Sequence, residues 1–182
     1  MLRMKEHLEG FLAGLPKVSK GSWGRIVKGD AVECVLEKSS DALRVALLLK
    51  CHAKTFVPEL TNPELSKYGM RIAIGIGPLR TNDQANGIID GEAIYKSGRC
   101  IEGKRNLAKG TLYIEYEGSD TTALDVVVPL CDVVVNKATE KQCQVLCRKL
   151  MGLDESAVAE AIGKSRPTVN NQSMLAGWPA LE

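Results

Sequence analysis

The first fifteen residues place apolar side chains at Leu2, Met4, Leu8, Phe11, Leu12 and Leu15, with polar residues between them. Those spacings predict a helix. Pro16 is expected to end it, because proline lacks an N–H and crowds the preceding turn. The pattern then changes period. Residues 21–28 and 31–37 are β-rich and flank Gly29-Asp30, the composition of a tight hairpin. Ser39, Ser40 and Asp41 offer N-cap oxygens to a helix over 42–56. Its apolar set is broad (Leu43, Val45, Ala46, Leu47, Leu48, Leu49), so it is expected to lie on a sheet. Pro58, Asn62 and Pro63 mark a loop. Residues 70–76 are almost wholly apolar, as in a strand covered on both faces, and Gly75, Gly77 and Pro78 close it. A long polar loop is expected next, then a helix from about 90 to 104. Residues 111–117 alternate like a half-buried edge strand.

The remainder has a different texture. Residues 121–135 are rich in valine, and propensity alone makes them a strand; they are read here as a helix that Pro129 breaks or kinks. Helices are expected over 140–151, 154–162 and 165–176. Asp154 and Ser165 are good N-caps, and Pro167 falls in a first turn, where its missing N–H costs nothing. Glu117-Gly118-Ser119-Asp120 reads as a turn and linker. The expected organisation is therefore an α+β domain over 1–120, with helices on one face of an antiparallel or mixed sheet, and a small all-α domain over 121–182.

Composition narrows the function classes. Of 182 residues, 45% are apolar and 25% charged, which excludes a disordered or collagenous chain. No apolar run reaches the ~18 residues of a membrane span, and Arg3, Lys5, Glu6 and Glu9 make the start too polar for a secretory signal. The net charge of +2 supplies no global field for nucleic acid or membrane. Six cysteines lack any Cys-x-x-Cys pair and only His7 and His52 accompany them, which argues against zinc. Most sit among Val, Leu and Ala, as small buried hydrophobes do; a reducing cytoplasm is the expected compartment.

Two constellations carry chemistry. In the first, Ala159 is small where two helices must cross, Gly163 follows four residues later to supply a left-handed turn, and Val169, six further on, pins a second helix onto the first. That is the spacing of a helix-turn-helix, whose second helix enters the DNA major groove. Lys164, Ser165, Arg166 and Thr168 stand at the start of that helix, and Asn170, Asn171, Gln172 and Ser173 follow as candidate readers of base edges. The alternative is a plain helical hairpin with a solvated polar face. Phosphate neutralisation supplies most nonspecific affinity, and here only Lys164 and Arg166 are placed for it.

The second constellation is Asp30 at the hairpin tip, where a carboxylate could hold Mg²⁺ on a nucleotide phosphate, with Arg99 on a later helix as a phosphate contact. The simpler alternatives are a turn aspartate and a surface arginine.

The run Gly29-Asp30-Ala-Val-Glu-Cys-Val-Leu36, followed by Ala42-Leu-Arg-Val-Ala46, Met70-Arg-Ile-Ala-Ile-Gly-Ile-Gly77 and Asp90-Gly-Glu-Ala-Ile-Tyr-Lys-Ser-Gly-Arg99, resembles the class III nucleotidyl cyclase-like fold, a ferredoxin-like α/β sandwich. With the C-terminal helix-turn-helix, the order resembles the SatD-like bacterial proteins. The resemblance implies a cyclase-like domain joined to a DNA-binding-type helical domain. In cyclases two aspartates bind metals, one on the first strand and one at the hairpin that Asp30 matches, while an Asn and an Arg four residues apart stabilise the transition state. Arg99 matches the arginine, but Tyr95 stands at the asparagine position, and the chain starts at the first helix, without the usual first strand and its aspartate. One aspartate cannot clamp two metals, which argues against cyclase catalysis.

The leading expectation is a cytoplasmic, noncatalytic DNA-binding regulator. Its first domain would sense a ligand or dimerise, and the homodimer would read two half-sites. The alternatives are a Mg-nucleotide-binding protein or cyclase-like enzyme using Asp30 and Arg99, and a structural interaction module with a degenerate helix-turn-helix.

Overall fold

The computed structural model describes residues 2–29, 31–56, 67–103, 110–117 and 122–182. Helix takes 59% of the described residues and strand 18%, an α+β chain with small sheets. The elements run α1 (Leu2–Val18), β1 (Trp23–Lys28), β2 (Ala31–Val35), a 3-10 turn (Ser39–Asp41), α2 (Ala42–Thr55), β3 (Ile72–Gly75), β4 (Leu79–Asp83), β5 (Ile88–Gly91), α3 (Glu92–Gly103), β6 (Leu112–Glu115), α4 (Thr122–Lys137), α5 (Glu140–Leu150), α6 (Glu155–Ile162) and α7 (Arg166–Leu175), closing with a 3-10 turn (Trp178–Ala180).

Strands pair two by two. β1 and β2 form the expected antiparallel hairpin, β3 pairs with β6 in parallel, and β4 with β5 antiparallel. The single antiparallel or mixed sheet expected from the pattern is not formed by the described strands: they make three two-stranded sheets. No described strand bridges β2 and β3, so β3 has a neighbour on one side only and Ile72 and Ala73 stay half-buried. The polar stretch after β3 is the β4–β5 hairpin instead of a loop. Its turn is built by Asp83, which accepts from the Asn86 amide at 3.0 Å, and by Gly87 at φ +64°. This hairpin is held to β1 by side chains, Trp23 donating to Asn82 at 2.8 Å and Arg25 to the Gly87 carbonyl. Behind β3, α3 comes so close that a Cβ at Gly75 would lie 2.0 Å from the Ala93 carbonyl oxygen. Only glycine permits that approach.

The prolines behave differently from expectation. Pro16 lies inside α1, which runs on to Val18. The ring removes one donor near the helix end, and the turn is still closed by Ser19 N–H to Leu15 at 3.0 Å. Pro129 is likewise inside a continuous α4; it is exposed, so the carbonyl it leaves unbonded can meet water. Asp41 occupies the N-cap position of α2 without a side-chain cap bond. Its carboxylate accepts instead from Ser19 at 2.8 Å and from Arg44 at 3.2 Å. The Ser19 hydroxyl, aided by Arg44, holds it below the usual carboxylate range. Arg44 also donates to the Val18 carbonyl at 2.8 Å, tying the end of α1 to α2.

One core runs through both halves of the chain. Leu8 and Leu15 of α1, Val45 and Leu48 of α2, and Ile74 and Leu112 of the parallel pair share it with Val128 and Val135 of α4 and Leu146 of α5. The expected boundary near residue 120 falls outside the described residues, and the helices after it pack into the same core. Five of the six cysteines are buried and all six are free thiols. Burial next to Glu33 pushes the Cys34 thiol up to about 12.

The valine-rich segment is helical because of what it packs against. Val128, Cys131 and Val135 enter the core at helical spacing, and Asp132 turns inward beside them. A buried polar cluster forms there. Lys50 Nζ donates to the Tyr68 carbonyl (2.6 Å), the Met70 carbonyl (3.0 Å) and Thr111 Oγ1 (2.6 Å), and lies 3.2 Å from Asp132. Thr111 donates through its amide and hydroxyl to the two Asp132 oxygens at 2.6 and 2.7 Å. One turn on, Lys54 donates to the Val135 and Asn136 carbonyls at the end of α4, both at 2.9 Å, completing groups that a helix C-terminus leaves unpaired. Burial pulls the Lys50 ammonium below the usual lysine range, and the Asp132 charge opposes that shift.

Candidate nucleic-acid interface

The last three helices make a small unit with its own core. α5 starts at a capping box, in which Thr139 accepts from the Gln142 amide and the Gln142 side chain accepts from the Thr139 amide. The Asp154 side chain caps α6 by accepting from the Ala157 amide at 2.8 Å. α6 ends at Gly163, at φ +63° and ψ +40°, and the Lys164 amide reaches back to the Ala159 carbonyl at 3.0 Å. A side chain at that left-handed position would be strained. Ser165 then caps α7, accepting from the Thr168 amide at 3.4 Å, with Pro167 in the first turn. The corner therefore forms as the spacing predicts. Val158 and Ala159 of α6, Val169 of α7 and Val145 of α5 meet in a cluster flanked by Leu153 and Ile162.

With Val169 fully buried, the other side of α7 is turned to solvent. Lys164, Ser165, Arg166, Thr168, Asn170 and Asn171 are all exposed. Ser173 departs from the expectation: it is 1% exposed and donates to the Asn170 carbonyl at 3.1 Å. It lies four residues after Val169, on the same inward stripe. The Ser165 and Thr168 hydroxyls lie 2.9 Å apart and are occupied with capping. Lys164, Arg166, Asn170 and Asn171 remain as outward groups. Neither cation is held by a carboxylate among the described residues, and no acidic residue occurs between Glu160 and Glu182. The positive end of the α7 dipole adds to their field.

The nucleotide-binding pair is placed differently. Asp30 lies outside the described residues. Arg99 is exposed and sits 3.4 Å from the Glu115 carboxylate. Tyr95 donates its hydroxyl to Asp90, whose carboxylate pushes the phenol pKa up. Near these groups, Lys96 is buried against the Ile76 carbonyl at 3.1 Å and lies 3.4 Å from Glu92. Arg99 and Lys96 thus each lie 3.4 Å from a carboxylate. A cleft of about 630 Å³ between α1 and β1 reaches Gly29 and is lined by Lys5, Glu9, Leu12, Arg25 and Lys28; Arg99 is not part of it. Arg25 in this cleft is bound to Glu33 at 2.7 Å. Among the described residues no group of three or more His, Cys, Asp or Glu is arranged to hold a metal ion, and no helix is long and apolar enough to cross a membrane.

Comparison of the chain with protein-family models, with curated proteins and with solved structures finds no match.

Two features of the structure went unread in the sequence. One is the Lys50–Thr111–Asp132 cluster, signalled only by single charged residues inside apolar runs. The other is the outer face of α4, where Val126, Val127, Leu130 and Val133 are exposed. Its signal was present: α4 is apolar on both sides, and such helices are normally covered all round.

Proposed function

We propose that this chain is a DNA-binding protein that lays α7 in the major groove. On this reading a noncatalytic, SatD-like cyclase-type domain carries the helix-turn-helix and couples it to a ligand. The observation that carries the proposal is the division of α7. Its inner stripe, through Val169 and Ser173, is buried, while Lys164 just before the helix and Arg166, Asn170 and Asn171 on it are exposed, with no acidic residue between Glu160 and Glu182. Lys164 and Arg166 at the helix start suit phosphate, and the two asparagines suit adenine edges. Supporting the cyclase-type reading of the first part is its element order: a helix, a hairpin, a helix and a strand that returns in parallel after α3.

The test is fluorescence anisotropy of the whole chain with random and A·T-rich duplexes across a salt series. Affinity is expected to fall steeply with salt. Arg166→Ala is expected to weaken binding to all duplexes and reduce the salt slope by about 1. Asn170→Ala is expected to cost about 1–3 kcal/mol on the preferred duplex and little on others. Absence of binding to any duplex at low salt overturns the proposal.

A further inference from the structure

The outer face of α4 carries Val126, Leu130 and Val133 at 55%, 59% and 49% exposure, with Val127 beside them. The spacing of four and then three residues keeps them on one side of the helix. The end of α7 adjoins this helix, since Gly177 lies against the Val134 side chain. One turn before Gly177, Met174 and Leu175 are exposed at 57% and 66%. Together these six side chains offer roughly 600 Å² of apolar surface, the upper end of what a soluble monomer leaves uncovered. We infer that this face is a two-fold dimer interface, occupied by α4 and the α7 end of a second copy of the chain in antiparallel contact.

Three features favour a second copy as the occupant. First, the stripe holds no charge from Val126 through Val133 apart from the inward-facing Asp132. Two copies therefore meet without burying like charges. Second, the ends of α4 are oppositely charged, with exposed Asp125 near the start and exposed Lys137 at the last residue. An antiparallel contact centred near Leu130 brings the Asp125 end of each copy to the Lys137 end of the other. It also opposes the two helix dipoles, whereas a parallel contact would place like ends together. Third, the area is adequate. Covering the patch on both copies removes roughly 1,200 Å² in total, at the lower edge of specific interfaces. The dimer is therefore expected to be in exchange with monomer at micromolar concentrations.

This arrangement deepens the DNA-binding reading, because pairing through α4 would fix two α7 helices relative to one another as a two-fold site requires. It does not need that reading to hold, since dimerisation is measured without DNA.

The experiment is sedimentation equilibrium of the whole chain from about 1 to 100 μM, a range chosen for an interface of this size. The wild type is expected to show a monomer–dimer equilibrium. Leu130→Asp, at a solvent-exposed site, is expected to sediment as a folded monomer with unchanged circular dichroism. Asp125→Lys and Lys137→Asp are each expected to weaken the dimer about tenfold, and the double variant to restore it. A wild type that stays monomeric throughout overturns the proposal, as does a Leu130→Asp dimer of wild-type strength. A double variant no better than either single variant overturns the antiparallel arrangement. If duplex binding proves absent while these outcomes hold, only the DNA reading fails.

Discussion

The α6–α7 unit and the region around α2 and α4 are built on different principles. In the first, every boundary is marked by a local signal: Asp154 and Ser165 accept cap bonds from amides three residues on, Gly163 takes the left-handed turn, and a few small apolar residues fill the centre. In the second, distant groups decide the outcome. Lys50 is wholly buried, and its partners come from residues 68, 70, 111 and 132. A locally specified unit can be read one turn at a time, and its damage stays local. A unit specified by long-range polar contacts couples α2, β6 and α4, so a single change there is felt by the whole fold.

The largest expected effect breaks the long-range unit. Lys50→Met removes the cation 3.2 Å from Asp132 and leaves a buried carboxylate without its ion-pair partner, at a cost of about 3–5 kcal/mol. Urea unfolding followed by circular dichroism checks this, and the double variant Lys50→Met/Asp132→Asn should recover much of the loss. A loss below about 1 kcal/mol would sink the idea that the cluster holds α2 to α4.

Next comes the small core. Val169→Ala should cost about 2 kcal/mol or slightly more, and it should raise amide exchange in α6 and α7 before α2 is affected. Uniform exchange throughout the chain would show that the unit does not open separately. Gly163→Ala tests the corner itself. Alanine in the left-handed region should cost about 1 kcal/mol, visible as a lowered urea midpoint.

The smallest expected effect concerns His7 and His52, which clamp α1 to α2. Their rings stack 3.8 Å apart and nearly parallel. Each Nε2 lies within hydrogen-bond distance of the other residue's backbone carbonyl, at 2.8 and 3.0 Å. A carbonyl only accepts, so both nitrogens donate and carry the proton. Burial, together with the charge of His7, pulls His52 below the usual histidine value of 6.5. An unfolded chain therefore takes up the second proton, which makes the imidazolium, more readily than the folded one. Stability is fully present above pH ~6.5 and falls as the pH drops through the lowered folded value. Thermal melts between pH 7.5 and 5 should show a declining midpoint, and His52→Gln should flatten the decline. An unchanged slope in that variant would remove His52 as its source.

Legibility in the sequence follows the same division. The two C-terminal caps, the Gly163 corner and the buried Val169 could be read directly, because each depends on residues within one or two turns. Ser173 was legible by the same rule, since its four-residue spacing from Val169 puts it on the buried stripe. The β4–β5 hairpin was legible in principle from Asn86-Gly87 between Ile-containing and Thr-containing runs, but the polar residues of β4 masked it. Pairing of β3 with β6 was not legible, since a four-residue strand carries no mark of its partner.

The order of elements, the capped helix pair and its polar outward face are properties of the chain itself, because hydrogen-bond caps and helical periodicity act over a few residues. Tertiary structure alone decided that Pro129 leaves the 122–137 helix unbroken, that two lysines of α2 are buried, and that the described strands remain in pairs. Those outcomes depend on which groups from elsewhere arrive to fill a charge's shell or a strand's free edge, and no local pattern encodes an arrival.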